Sequence, residues 1–299
     1  LTQKKLKDGF ELYEYRFFNK ENEKKFINIK SPKNILEIFD KKILIWDEMG
    51  LGDAVMFSRF IIDLINHTKK ITFVVNKKLT KLLSNLSPYI NVVDYENLNS
   101  LNYDFQIPVC SLPKLLNISK VEDINFYELS LTRKKNFLLK LDNSKLNVGV
   151  AWSGNPNYVR DEYRSIPFEI FREVLKFKNV NFYKLSQDKK NDKNPNYISY
   201  PNLFDCGNES IYEISDLMKN LDLIVSSDTS IIHIAGILNI KSFLLLNLNS
   251  EWRWFNDKKK TIWYPSVEII KQKKLNSWDN VFKELKSRIE KLNEKKVSY

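Results

Sequence analysis

The sequence predicts an α/β protein built from two doubly wound, parallel-sheet domains facing one cleft, and three observations predict it. Short apolar runs of the length of buried strands alternate with stretches of helical period. The chain's 299 residues exceed the usual single-domain size of about 100–150, so each half can bury a core of its own. Of only seven glycines, four stand at two strand-to-loop junctions, Gly50 and Gly52 after Ile43–Trp46, then Gly149 and Gly154 around Val148–Trp152. Glycine is kept where a Cβ would obstruct a turn or a close approach.

Taken in order, residues 1 to about 30 read as one amphipathic helix with Leu6, Phe10, Leu12 and Tyr13 on a stripe, followed by the charged stretch Asn19–Lys25. This 1–32 segment is expected to be an appendage and not part of a core. The first domain, 33–142, opens on the strand Ile43–Trp46, followed by a helix carrying Ala54, Val55, Phe57, Phe60, Ile61, Leu64 and Ile65. A strand at Ile71–Val75 completes a βαβ unit, and further strands are expected at Val92–Val93 and Phe105–Val109. The second domain, 143–276, repeats the scheme with strands at Val148–Trp152, Val180–Leu185, Leu223–Val225 and Ser242–Leu246. Its helices start near Pro167, Glu209 and Asp228. A last helix, 277–299, carries Trp278, Val281, Phe282, Leu285, Ile289 and Leu292 on one face and should pack back on the sheets.

Composition narrows the function classes. With 43% hydrophobic and 28% charged residues the chain is neither disordered nor membrane-spanning, since no apolar run approaches 18 residues. The start, Leu1-Thr2-Gln3-Lys4-Lys5, lacks the features of a signal peptide and reads as cut from something longer. Cys110 and Cys206 form no C-x-x-C pair, so neither a disulfide framework nor a zinc site is implied, and a reducing cytoplasm is the expected compartment. The net charge of +11 would steer phosphorylated ligands or hold the protein at the surface of an inner membrane. Lysines scattered over solvated helix faces would give the same total. No nucleic-acid-binding signature accompanies the charge, so no nucleic-acid partner is expected.

Three loops carry the chemistry. Asp47-Glu48-Met49-Gly50-Leu51-Gly52-Asp53 joins a strand to a helix whose free amides suit an anion or a sugar hydroxyl. As a dinucleotide fingerprint it fails, because Val55 fills the third small position and Asn76-Lys77-Lys78 ends the second strand where an acid is required. Asp53 also fits a plain helix cap. Ser153-Gly154-Asn155 runs on to Arg160 and to Arg164-Ser165-Ile166-Pro167, where a guanidinium fork matches a diphosphate. The competing role is an ion pair with Asp161 or Glu162, expected of Arg160 more than of Arg164. Ser226-Ser227-Asp228-Thr229-Ser230 opens the helix carrying His233 and Gly236, where hydroxyls, amides and the helix dipole converge on an anion. His233 could donate there too, or sit as a satisfied core histidine. Only two histidines occur, there is no Asp-x-Asp and no Walker pattern, so no dedicated metal site and no bound cofactor are expected.

Together, Gly50-Leu51-Gly52-Asp53, Val148–Asn155, Arg164–Pro167 and Ser226–Gly236 resemble glycosyltransferase family 9, the ADP-heptosyltransferase group. Glu251-Trp252-Arg253-Trp254 and Trp263-Tyr264-Pro265 are similar to the late motifs of its tetratricopeptide-linked members. The resemblance covers about residues 40–290, and the amphipathic Leu6–Phe17 helix is then similar to the end of a repeat array. It implies a GT-B fold of two Rossmann-like domains, the nucleotide-sugar donor held mainly by the second and the acceptor by the first. It further implies Asp53 as catalytic aspartate, Arg164 as the basic residue near the donor phosphates, and Asp228, Thr229, Ser230 and His233 at the donor-binding helix start. Gly50, Gly52, Ser153, Gly154, Asn155 and Arg160 complete the expected binding loops. Arg164 stands where the family usually has lysine, which leaves the donor sugar open.

The expected activity is therefore inverting, metal-independent transfer of a sugar from a nucleoside diphosphate to a saccharide or protein hydroxyl. Asp53 would take the acceptor's proton, and Arg164 with the amides near Asp228 would stabilise the departing diphosphate. The alternatives are a non-catalytic nucleotide- or carbohydrate-binding module on a repeat scaffold and a nucleotide-sugar isomerase or hydrolase of the same fold.

Overall fold

Ile43–Trp46 is buried along its whole length, and such a four-residue apolar run is stable only as an inner strand covered on both faces. In the structure, a computed structural model that describes residues 1–18, 24–99, 102–131, 141–186, 200–207, 209–255, 257 and 259–297, it lies at the centre of the first sheet. The chain divides into two compact units, Leu1–Leu131 and Thr132–Tyr299.

The first unit runs α1 (Leu6–Tyr13), β1 (Ile43–Trp46), α2 (Leu51–Phe57), α3 (Arg59–Leu64), β2 (Ile71–Val75), α4 (Lys77–Leu83), β3 (Ile90–Asp94), β4 (Phe105–Pro108) and α5 (Leu112–Leu115). All strand pairs are parallel, in the order β3-β2-β1-β4, with Ile43 in register with Ile71 on one side and with Phe105 on the other. The chain thus winds away from β1 and then returns to its other flank, which makes the carboxyl ends of β1 and β4 a topological switch point. The single helix expected behind β1 is two short ones, parted at Ser58, whose hydroxyl donates to the Val55 carbonyl at 2.8 Å.

The segment before β1 departs from its expected role as an appendage. The helix ends at Tyr13 and gives way to a 3₁₀ stretch, Glu14–Phe18; residues 19–23 of the charged stretch lie outside the described residues. Leu6 and Phe10 are buried, while Leu12 of the expected stripe is 65% exposed. Phe17, Phe26 and Ile29 cover the face of the sheet formed by Leu44, Trp46 and Val74, and the Lys30 carbonyl accepts the amide of Gln106 on the edge strand β4. The physical reason is that Leu44 and Trp46 point to a face needing apolar cover, and this segment supplies it.

The second unit runs β5 (Leu146–Ala151), α6 (Asp161–Arg164), α7 (Phe168–Phe171), β6 (Val180–Lys184), β7 (Leu203–Asp205), α8 (Ile211–Met218), β8 (Leu223–Ser227), α9 (Ser230–Ile237), β9 (Ser242–Leu246), β10 (Val267–Lys271) and α10 (Asp279–Val297). Its six strands are again all parallel, in the order β10-β9-β8-β5-β6-β7, so the switch point falls between β5 and β8. β7 and β10 lie beyond the four strands read from the sequence. β7 is three residues long and half-buried, and β10 reads Val-Glu-Ile-Ile-Lys, so neither gives a long apolar run. Trp278, Val281, Leu285 and Ile289 of the C-terminal region join the core of this sheet, beside Trp152, Phe168 and Phe171. Residues 132–140, next to the expected boundary at Asp142, lie outside the described residues. Among the described residues no helix is long and apolar enough to cross a membrane.

Candidate functional site

The expected site residues divide between the units: Gly50, Gly52 and Asp53 follow β1 in the first, and the others follow β5 and β8 in the second. Both groups therefore occupy switch points at the carboxyl ends of strands, where doubly wound sheets bind ligands.

In the first unit the left-handed position of the turn is taken by Met49, with φ 63°, and not by either glycine. Gly50 is extended (φ −111°, ψ 169°) and caps α2, which places Gly52 in the helix's first turn. Asp53 is therefore not the N-cap that its sequence allowed. It stands three residues in, 9% exposed, and its Oδ2 accepts the Gly50 amide at 3.2 Å while its own amide donates to the Gly50 carbonyl at 3.0 Å. The two preceding carboxylates are engaged elsewhere. Asp47 accepts the Tyr95 hydroxyl and, at 2.7 Å, the Asn76 amide, and Glu48 is paired with Arg16.

In the second unit Arg164 is the hub. Its Nε donates to Asp161 Oδ1 at 3.0 Å, its Nη1 reaches the Asp228 carbonyl at 3.4 Å, and its guanidinium lies 4.5 Å from the centre of the Tyr158 ring. Gly154 passes directly beneath it: a Cβ there would come within 2.6 Å of Arg164 Nη2, so any larger residue would displace the guanidinium from this position. The Gly154 amide donates to Ser165 Oγ at 2.9 Å, while Ser153 is half-buried and Asn155 is exposed, accepting the Asn157 amide at 3.0 Å. The expected pairing of the arginines is reversed, for Arg164 takes Asp161 and Arg160 reaches Glu251 at 3.2 Å. The reason is that α6 sets Asp161 one turn before Arg164 on the same face, whereas Arg160 precedes the helix. The Arg160 pair is largely exposed and worth little in stability.

Thr229 is the N-cap of α9 and Ser230 its first residue; the hydroxyls of Ser226 and Thr229 lie 3.1 Å apart beneath the helix start. Asp228 is buried, and that burial pushes its carboxyl above the ordinary range. The Trp254 indole, Arg253 and Arg164 pull the other way and Glu251 adds to the rise. The Trp254 indole N–H is near enough to favour the charged form without meeting hydrogen-bond geometry. A raised folded value means that this group's contribution to stability is complete below the ordinary aspartate range, near pH 4, and is lost as pH rises through the folded value. Asp228→Asn, which stays neutral, should accordingly gain in melting temperature relative to the parent between pH 4 and pH 8; a difference that stays flat over that range contradicts the assignment.

His233 is 3% exposed, with Nδ1 2.9 Å from the Tyr264 hydroxyl and its ring stacked on Trp254 at 5.1 Å. This is the setting of a satisfied core histidine, the second of the two roles its sequence position allowed. Gly236 carries the Tyr264 ring against the helix, leaving no room for a Cβ.

Arg160, Arg164 and Asp228 line one small concavity open to solvent. Its walls include Tyr158, Tyr163, Asn247, Asn249 and Glu251, none of which the sequence singled out as binding residues. One signal was present: residues 247–251 follow β9, the neighbour of β8, so they too leave a strand's carboxyl end beside the switch point.

No protein-family model matches the sequence, and no curated protein matches it. Solved structures do. The glycosyl transferase family 9 protein from Veillonella parvula is 12% identical, with a TM-score of 0.58 over 84% of this chain and 90% of that one. The E. coli heptosyltransferase WaaC with ADP is 10% identical (TM-score 0.55, 82% and 99%), and the E. coli ADP-heptose lipopolysaccharide heptosyltransferase II is 13% identical (0.54, 82% and 98%). The chain has the α/β, two-sheet GT-B fold of these heptosyltransferases.

Proposed function

We propose that the chain is a glycosyltransferase that uses a nucleoside-diphosphate sugar, inverts the anomeric carbon and needs no metal. The observation that carries this reading is the meeting, at the β5/β8 switch point, of the Arg164 fork, the glycine beneath it and the Asp228 carbonyl just before α9, with Arg164 and Asp228 lining one open concavity. That arrangement suits a diphosphate, since a guanidinium fork and a helix start both favour anionic oxygen. The fold shared with the heptosyltransferases supports it.

In the reaction the acceptor hydroxyl gives its proton to Asp53 as its oxygen bonds to the anomeric carbon. The bond from that carbon to the diphosphate oxygen breaks on the opposite face, and the charge gathering on the leaving group is met by Arg164 and the amides opening α9. Only one carboxylate is needed, because a single in-line displacement has no covalent sugar–enzyme intermediate. The acceptor in this reading is a saccharide or protein hydroxyl.

Nucleotide binding tests the donor half. ADP, GDP and UDP are added to the full chain, and the matching nucleotide at about a hundred times its Kd should stabilise by about 2.7 kcal/mol, a rise of a few degrees in Tm. No shift with any of them contradicts the reading. Binding without sugar transfer would leave a nucleotide-binding module instead.

A further inference from the structure

Glu48, one residue before the left-handed Met49, is held from outside its own loop. Arg16, 9% exposed, sets Nε 2.8 Å from Glu48 Oε2 and Nη2 2.7 Å from Oε1, a bidentate pair across 32 positions. Oε1 also accepts the Cys110 amide at 3.1 Å, so the pair ties the N-terminal segment to the exits of both β1 and β4. The guanidinium is itself fixed. Nη1 donates to Glu14 Oε1 at 2.8 Å and to the Tyr13 carbonyl at 3.0 Å, Nη2 donates to Ser111 Oγ at 2.7 Å, and the group lies 4.2 Å from the centre of the Phe17 ring. A buried fork-on-carboxylate pair tolerates one geometry, because loosening it strands a charge in the protein interior.

Immediately after Glu48 the chain makes the turn that sets Asp53. Met49 has φ 63°, a conformation that residues other than glycine seldom adopt and keep only where their surroundings over-determine it. Met49 leads to Gly50, whose amide is the donor to the Asp53 carboxylate.

We propose that Arg16 is a positioning residue for Asp53: its hold on Glu48 keeps Met49 left-handed and thereby aims the Gly50 amide on which the Asp53 carboxylate rests. The catalytic consequence rests on the reading of Asp53 as the base; the hold itself does not. The segment before β1 is then a working part of the first unit, joined to the site through one side chain.

The test uses the full chain with Arg16→Met and Arg16→Lys. Lysine keeps the charge but lacks the fork, which guards against an Arg16→Met variant that fails to fold with Glu48 unpaired. Amide hydrogen exchange over residues 49–53 should rise about tenfold in Arg16→Lys, while the amides of β2 stay as they were. With ADP-heptose as donor probe, kcat per folded molecule should fall about tenfold and the donor KM move by less than about twofold, the folded fraction being measured separately because a general loss of stability lowers apparent kcat in the same way. Unchanged exchange over 49–53 in Arg16→Lys overturns the proposal, and so does a rise shared equally by β2. If the parent protein transfers no sugar, the reading of Asp53 falls while the exchange result still decides what Arg16 holds.

Discussion

Asp53→Asn should abolish sugar transfer and leave the protein folded. The asparagine retains an oxygen for the Gly50 amide, so the start of α2 keeps that hydrogen bond, yet it accepts no proton from an acceptor hydroxyl. General-base catalysis contributes about 10²–10⁴ in rate, and a loss in kcat of that size with an unchanged donor KM is expected. Asp53→Ala should lose as much activity and about 1 kcal/mol of stability besides, because the Gly50 amide loses its acceptor. Activity within a few-fold of the parent in Asp53→Asn would remove this carboxylate from the mechanism.

Arg164→Ala carries the second large effect, on the donor side. Arg164 is held by Asp161, Tyr158 and the Asp228 carbonyl and lies directly on Gly154. A donor fixed in this way meets a developing charge without reorganising, and losing one such group costs about 10²–10³ in rate. Both kcat/KM and nucleotide affinity should fall, since a diphosphate carries charge before and after the sugar leaves. Arg164→Lys should recover only part of the loss, because an ammonium cannot reproduce the two-pronged geometry. Full nucleotide-induced stabilisation in Arg164→Ala would show that the phosphates bind elsewhere. The two variants separate cleanly, since the Asp53 variant should retain nucleotide binding that the Arg164 variant weakens.

Much of the fold, and the place of the loops after β5 and β8 within it, was legible in the sequence, for a physical reason. β1, β2 and β5 are buried along their whole length and mostly apolar, and a run buried on both faces has a pattern that needs no partner to be read. The loops after β5 and β8 carry a glycine and hydroxyls whose use is local, so Gly154 and Thr229 could be placed at strand exits from the sequence alone. Arg16 could not. Its meaning comes from Glu48, 32 positions away, and from Ser111, 95 positions away, and no short-range pattern marks a charged residue for burial. The same holds for His233, whose setting is made by Trp254 and Tyr264 from beyond the next strand. β7 and β10 escaped because their pattern is short or mixed, which a sheet edge permits and a sheet centre does not.

The most direct test is release of nucleoside diphosphate from nucleotide sugars, beginning with ADP-heptose, by the parent chain and by Asp53→Asn in the presence and absence of saccharide acceptors. The expected result is acceptor-dependent release by the parent, with the product's anomeric configuration opposite to the donor's, and release lower by at least about a hundredfold in Asp53→Asn. Release that ignores the acceptor, retains configuration or proceeds equally well without the Asp53 carboxylate would contradict the account.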